Sequence, residues 1–136
     1  MRLAPGRLFA GHEMEEQLMK GQLETNLGTV VIDEDVLGKY AGSAAVGCFG
    51  VVGMASVNMK DGIVKLLKKD NLRHGVNMSM VDGKLHVELH IIVAFGVSIL
   101  AVAENLVDTV RYNLEEFTGM EIGRITVCVE GVRVVD

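Results

Sequence analysis

Val76-Asn77-Met78-Ser79-Met80-Val81-Asp82-Gly83-Lys84-Leu85-His86-Val87-Glu88-Leu89-His90-Ile91-Ile92-Val93 is the stretch that decides the fold. Apolar and polar side chains alternate on both sides of Asp82-Gly83, a dipeptide suited to a two-residue type I′ hairpin turn. Pairing Val81 with Lys84 sets Met80 opposite Leu85, Met78 opposite Val87 and Val76 opposite Leu89. All six apolar side chains then share one face, and a slip of one residue would scatter them. His86, Glu88 and His90 occupy the other face, with Ser79, Asn77 and Gly75 as their expected cross-strand neighbours. The hairpin therefore belongs to a sheet with one buried face and one polar face.

Working outward, Ser98 caps a long helix that ends at Gly119, with Val102, Ala103, Leu106, Val110, Leu114 and Phe117 as its buried stripe. Residues 124–130 form a last strand, alternating Ile125, Val127 and Val129 against Thr126, Cys128 and Glu130. Upstream, residues 28–32 are β-rich. Asp33 then caps a helix carrying Val36, Leu37, Tyr40, Ala41 and Ala44 at helical spacing, over by Gly47. Residues 50–55 are a compact strand between glycines. Residues 60–70 read as an amphipathic helix with Ile63, Val64, Leu66 and Leu67 inward and Lys65, Lys68 and Lys69 outward. The order is β-α-β-α-β-β-α-β. It describes an α+β fold: a small mixed sheet with a central Asp-Gly hairpin and two main helices packed on one face. Residues 25–136 make this domain, and residues 1–24 are an N-terminal extension with a short helix around 13–23.

The 136 residues are 49% apolar and 23% charged, the balance of a folded domain. Aromatics are only 4% with no tryptophan, so small and β-branched side chains must fill the core. Thirteen Lys and Arg against eighteen Asp and Glu leave a charge of -5, which argues against a nucleic-acid partner because such binders show a basic footprint. Cys48 and Cys128 form no C-x-x-C and read as reduced thiols of a cytoplasmic protein. The N-terminus lacks the apolar core of a secretory signal. Residues 40–59 carry no charge, but four glycines with Ser43, Ser56 and Asn58 dilute them below a membrane-spanning helix. The expected location is the cytoplasm, with peripheral attachment at the inner face of the cell membrane as the further option.

Candidate sites are few. His86, Glu88 and His90 are the metal candidates, yet the two histidines stand about 13 Å apart by strand rise, too far to share one ion unaided. A polar, partner-facing sheet surface accounts for them better. Gly50-Val51-Val52-Gly53 fits the bare G-x-x-G of RNA-binding KH domains, but its flanks lack cations, and close packing around a short strand explains it. There is no phosphate loop, no G-x-S-x-G elbow, no local cysteine-nucleophile motif and no cofactor motif, so the chain is not expected to be an enzyme. Lys60, Lys65, Lys68, Lys69 and Arg73 outnumber Asp61 and Asp70 in one segment of an acidic chain. Lys65, Lys68, Lys69 and Arg73 are therefore the candidate interaction residues, facing an acidic protein or an anionic membrane surface.

With these residues in view, the chain resembles the alkaline-shock-protein family of Gram-positive bacteria, also called envelope stress response or YloU-like proteins. The likeness covers residues 25 to 136. It runs through the β-rich residues 28–32 with their acidic cap, then Tyr40-Ala41-Gly42-Ser43-Ala44-Ala45, Gly50-Val51-Val52-Gly53-Met54 and Asn71-Leu72-Arg73-His74-Gly75-Val76. The hairpin follows, then Ile91-Ile92-Val93-Ala94-Phe95-Gly96-Val97-Ser98-Ile99 and the Thr118-Gly119 helix end. Leu100 stands where relatives often carry a proline, which leaves the capping to Ser98. The resemblance implies a non-enzymatic protein of cell-envelope stress or homeostasis, in some members held at the membrane by a separately anchored partner. It carries no catalytic residues. Together with the open sheet face and accessible edges, it leads us to expect a scaffold or adaptor that forms homo-oligomers. The alternative is a metal- or small-ligand-binding module using the polar sheet face.

Overall fold

In a computed structural model that describes residues 21–25 and 27–135, the chain runs β1 (Gly21–Thr25), β2 (Gly28–Ile32), α1 (Glu34–Val46), β3 (Val51–Val57), β4 (Val64–Leu66), a 3-10 segment (Lys69–Gly75), β5 (Val76–Val81), β6 (Lys84–Ala94), α2 (Ile99–Thr118) and β7 (Ile122–Arg133). β6 is the axis of the sheet. Along one edge it pairs antiparallel with β5 through residues 84–89 and then with β3 through residues 91–93. Along the other it runs parallel to β7 from Leu85 to Ala94. β4 extends the sheet beyond β3, and β1 and β2 form a separate antiparallel hairpin.

The hairpin register is the one the alternation dictates: Val76 faces Leu89, Met78 faces Val87, Met80 faces Leu85 and Val81 faces Lys84. Asp82 and Gly83 both take positive φ, 51° and 79°, as a type I′ turn requires. Leu85, Val87, Leu89, Ile91 and Val93 are buried. They join one core with Leu37, Ala41 and Ala45 of α1 and with Val102, Leu106, Val110 and Leu114 of α2. Both main helices thus cover the same face of the sheet.

The caps form as expected. Asp33 accepts from the Asp35 N–H at 2.8 Å, Ser98 accepts from the Ala101 N–H at 3.2 Å, and Gly119 closes α2 at φ 72°. The Arg111 guanidinium donates to the carbonyls of Ile122 and Gly123 at 2.9 and 2.8 Å, fixing the point where the chain leaves α2 for β7. The expected buried faces need adjusting at their margins. Val36 and Phe117 are exposed and Ala103 half-buried, whereas Gly38, Gly42 and Ala45 complete the buried side of α1 and Thr118 that of α2.

Residues 60–70 do not form the amphipathic helix that their spacing suggested. Asn58 accepts from the Lys60 N–H at 2.9 Å and Asp61 from the Ile63 N–H at 3.0 Å, while Gly62 takes φ 70°. These local side-chain acceptors capture amides that a first helical turn would need, and the left-handed glycine reverses the chain. The result is a short hairpin in which β4 pairs with β3, followed by the 3-10 segment. Ile63 and Val64 are exposed instead of inward, and the Leu66 side chain packs over Gly53. At the N-terminus, β1 straddles the boundary drawn at residue 25. The helix expected around 13–23 lies outside the described residues up to residue 20, and residues 21–25 are strand. Among the described residues, no helix is long and apolar enough to cross a membrane.

Candidate functional site

The face of the sheet turned away from the helices carries Asn77 and Ser79 from β5, His86, Glu88 and His90 from β6, and Thr126, Cys128 and Glu130 from β7. Parallel pairing sets Glu88 beside Thr126 and His90 beside Cys128. The ladder is interrupted between Ile91 and Ile92, where β7 advances from Val129 to Gly131 and leaves Glu130 as an extra residue. Such a bulge re-aims a side chain, and this one is aimed at His90.

His90 is held at both ring nitrogens. Nδ1 lies 2.5 Å from Oε2 of Glu130, and Nε2 lies 2.8 Å from Oε2 of Glu88. The Asn77 amide donates to the same Glu88 oxygen at 3.0 Å. One ligand atom each from Glu88, His90 and Cys128 lies within 4.8 Å of the others, and all three residues are half-buried. Burial opposes the charged imidazole of His90, but the hydrogen bonds to Glu130 and Glu88, with their charges, outweigh it and raise its pKa. The Asn77 and then the His90 hydrogen bonds hold the Glu88 carboxyl below its ordinary range. Burial, followed by the charges of Glu88 and Glu130, pushes the Cys128 thiol up.

Of the three metal candidates, the fold brings Glu88 and His90 together and leaves His86 out. The His86 ring lies over Gly123, where any Cβ would run into it. Cys128 and Glu130 were not anticipated. Their place on the polar side of the last strand was readable, and a strand–helix–strand connection of this length implies parallel pairing. The register that sets Cys128 beside His90, however, follows a shift in the ladder between Leu85 and Val87. The one sign of the bulge that delivers Glu130 is Gly131, a glycine inside a strand that was expected to end at Glu130. Cys48 is buried on the helix side of the sheet, its thiol 3.5 Å from the Ala44 carbonyl, and both cysteines are free of disulfides.

The interaction candidates do not share one helix face. Lys65 is exposed on β4, while Lys68 and Lys69 are exposed where the 3-10 segment begins. Arg73 is engaged within the chain, at 2.7 Å from Asp35 and 3.3 Å from Glu34 at the start of α1. Gly50 takes φ 84° at the entry to β3, and a Cβ there would run into Val102. The G-x-x-G glycines therefore serve close packing, as expected of them.

The sequence profile of the alkaline shock protein 23 family, described as having a cell envelope-related function, matches residues 22–134. The chain belongs to this family. It is 38% identical over 117 residues to YloU, an uncharacterized protein of Bacillus subtilis (strain 168), a match covering 85% of this chain and 98% of that one. Similarity to the uncharacterized protein Spy1614 of Streptococcus pyogenes serotype M6 is 33% over 118 residues, covering 86% and 98%. A second Bacillus subtilis protein, the uncharacterized YqhY, is 32% identical over 110 residues, 81% of each chain. No solved structure matches the chain. The family membership agrees with the resemblance drawn from the motifs and carries a cell envelope-related function with it.

Proposed function

We propose that the protein is a non-catalytic adaptor of the cell envelope, working from the cytoplasmic side through contacts with another protein. The observation that carries this reading is an apolar end of the sheet. Backbone hydrogen bonds from the Ala94 N–H to the Gly50 carbonyl and from the Phe95 N–H to the Arg133 carbonyl gather the neighbouring segments there. They expose Phe49 (77%), Phe95 (72%), Leu100 (70%) and Val132. Large apolar side chains clustered this way mark contact surfaces more often than isolated exposed ones do. The adjoining β7 has a ladder partner on one side only among the described residues, which offers a further edge for pairing, including with a second copy. Lys65, Lys68 and Lys69 would add an electrostatic contact with an acidic partner or an anionic membrane surface.

The test is fractionation of cells into membrane and cytosol, with chemical crosslinking of the native protein. Phe95→Glu with Leu100→Glu should reduce recovery with membranes and abolish crosslinks while circular dichroism stays as in the wild type. Unchanged recovery and crosslinks would remove the apolar end from the account. Release by Lys65→Glu, Lys68→Glu and Lys69→Glu, with the apolar variant still attached, would replace protein docking with electrostatic membrane docking.

A further inference from the structure

We propose that Glu88, His90 and Cys128 form a zinc site on the open face of the sheet, with Glu130 as the residue that orients His90. The inference stands apart from the adaptor reading and rests on the geometry of β6 and β7. Three ligand atoms of three chemical types already lie within 4.8 Å of one another. A tetrahedral zinc, with bonds of about 2.0 to 2.3 Å, needs neighbouring ligands about 3.3 to 3.8 Å apart. Small side-chain rotations on two hydrogen-bonded strands can close that gap.

The donor set selects the metal class. A thiolate, an imidazole and a carboxylate form a borderline-soft set that suits zinc and disfavours calcium and magnesium, which take oxygen ligands. Charge balances within the ligand set as well, because an ionised Glu88, a neutral His90 and a Cys128 thiolate together carry two negative charges that neutralise the two positive charges of Zn²⁺. A proton on His90 Nε2 would occupy the place beside Glu88, because Nε2 and Oε2 lie 2.8 Å apart. Binding displaces that proton and the thiol proton, and the ion takes over the contacts to Nε2, Oε2 and Sγ. Three protein ligands leave the fourth position for water.

Glu130 gives His90 the second contact that a metal-binding histidine uses. The bulge places its carboxylate on Nδ1, the ring nitrogen on the side away from Glu88. A carboxylate on one ring nitrogen fixes the tautomer and points the other nitrogen at the metal, the usual support of a metal-binding histidine. Asn77 likewise holds the Glu88 carboxylate in place through its amide.

The experiment uses the full chain, reduced and stripped with chelator, then titrated with Co²⁺ and Zn²⁺. Cobalt should give a thiolate-to-metal charge-transfer band that saturates at one ion per chain, and zinc should displace it. Cys128→Ser should abolish the band, whereas Cys48→Ser and His86→Asn should leave it intact. Glu130→Gln should weaken zinc binding about tenfold or more while keeping the band. Circular dichroism of each variant separates loss of the site from loss of the fold. Absence of the band in the wild type, or its survival in Cys128→Ser, overturns the site. Unchanged zinc affinity in Glu130→Gln overturns the role given to Glu130.

Discussion

The Tyr40 ring lies flat on the Phe117 ring, with centroids 4.0 Å apart and planes 9° from parallel, and ties the middle of α1 to the last turn of α2. Phe117 is about half exposed, so the contact lies at the rim of the core and not inside it. Single changes Tyr40→Ala and Phe117→Ala should each lower stability, and the double variant should lose less than the two combined. The coupling expected for a stacked pair is about 0.5 to 1.5 kcal/mol. Urea unfolding of the four proteins measures it, and strict additivity would mean that the rings contribute only by area.

Gly50 and Gly62 both take positive φ, 84° and 70°, but only Gly50 lacks room for a side chain. Gly50→Ala should cost about 3 kcal/mol or more, combining the left-handed backbone penalty with overpacking against Val102. Gly62→Ala should cost only the backbone part, about 1 to 2 kcal/mol. Pairing Gly50→Ala with Val102→Ala should relieve the collision at the expense of core packing. Denaturation midpoints that rank Gly62→Ala as the more damaging single change would contradict this packing.

Thr118 is buried at the end of α2, where its hydroxyl donates to the Leu114 carbonyl at 2.7 Å and accepts from the Met120 N–H at 3.0 Å. Thr118→Val keeps the shape and leaves the buried Met120 amide without this acceptor. The expected loss is about 1 to 3 kcal/mol. Thr118→Ser should lose less, because the hydroxyl remains and only a methyl group goes. Equal losses in the two variants would assign the effect to packing.

Stability of the metal-free protein should depend on pH through His90 and Glu88. The raised pKa of His90 gives a contribution that is full below its ordinary value of 6.5 and fades as pH rises through the folded value. The lowered pKa of Glu88 gives one that is full above 4.5 and fades as pH falls through its folded value. The cluster therefore stabilises most between pH 4.5 and 6.5. With chelator present, the difference in urea midpoint between wild type and His90→Gln should shrink from about pH 5.5 to about pH 8.5. A difference that stays constant would show that the His90 charge does not couple to folding.

The elements read correctly from the sequence are those whose determinants are local. The β5–β6 register follows from period-two alternation around a turn whose residues must both take positive φ, and no distant part of the chain enters that reasoning. The limits of α2 follow from Ser98 and Gly119, which satisfy orphaned backbone groups wherever the helix packs. Residues 60–70 were misread because Ile63, Val64, Leu66 and Leu67 fit a helical face. The decision lay with Asn58, Asp61 and Gly62, whose side-chain acceptors and left-handed backbone turned the chain before a helix could propagate.

The sequence by itself determined the α+β class, the polar face of β6 and the family. It could not place Cys128 and Glu130 beside His90, because those contacts join segments about forty residues apart. They required the parallel pairing of β6 with β7 and two register shifts in that ladder. One, between Leu85 and Val87, brings Cys128 opposite His90, and the other, between Ile91 and Ile92, frees Glu130. Alternation along a strand states which side chains share a face; the register of the neighbouring strand decides which of them meet.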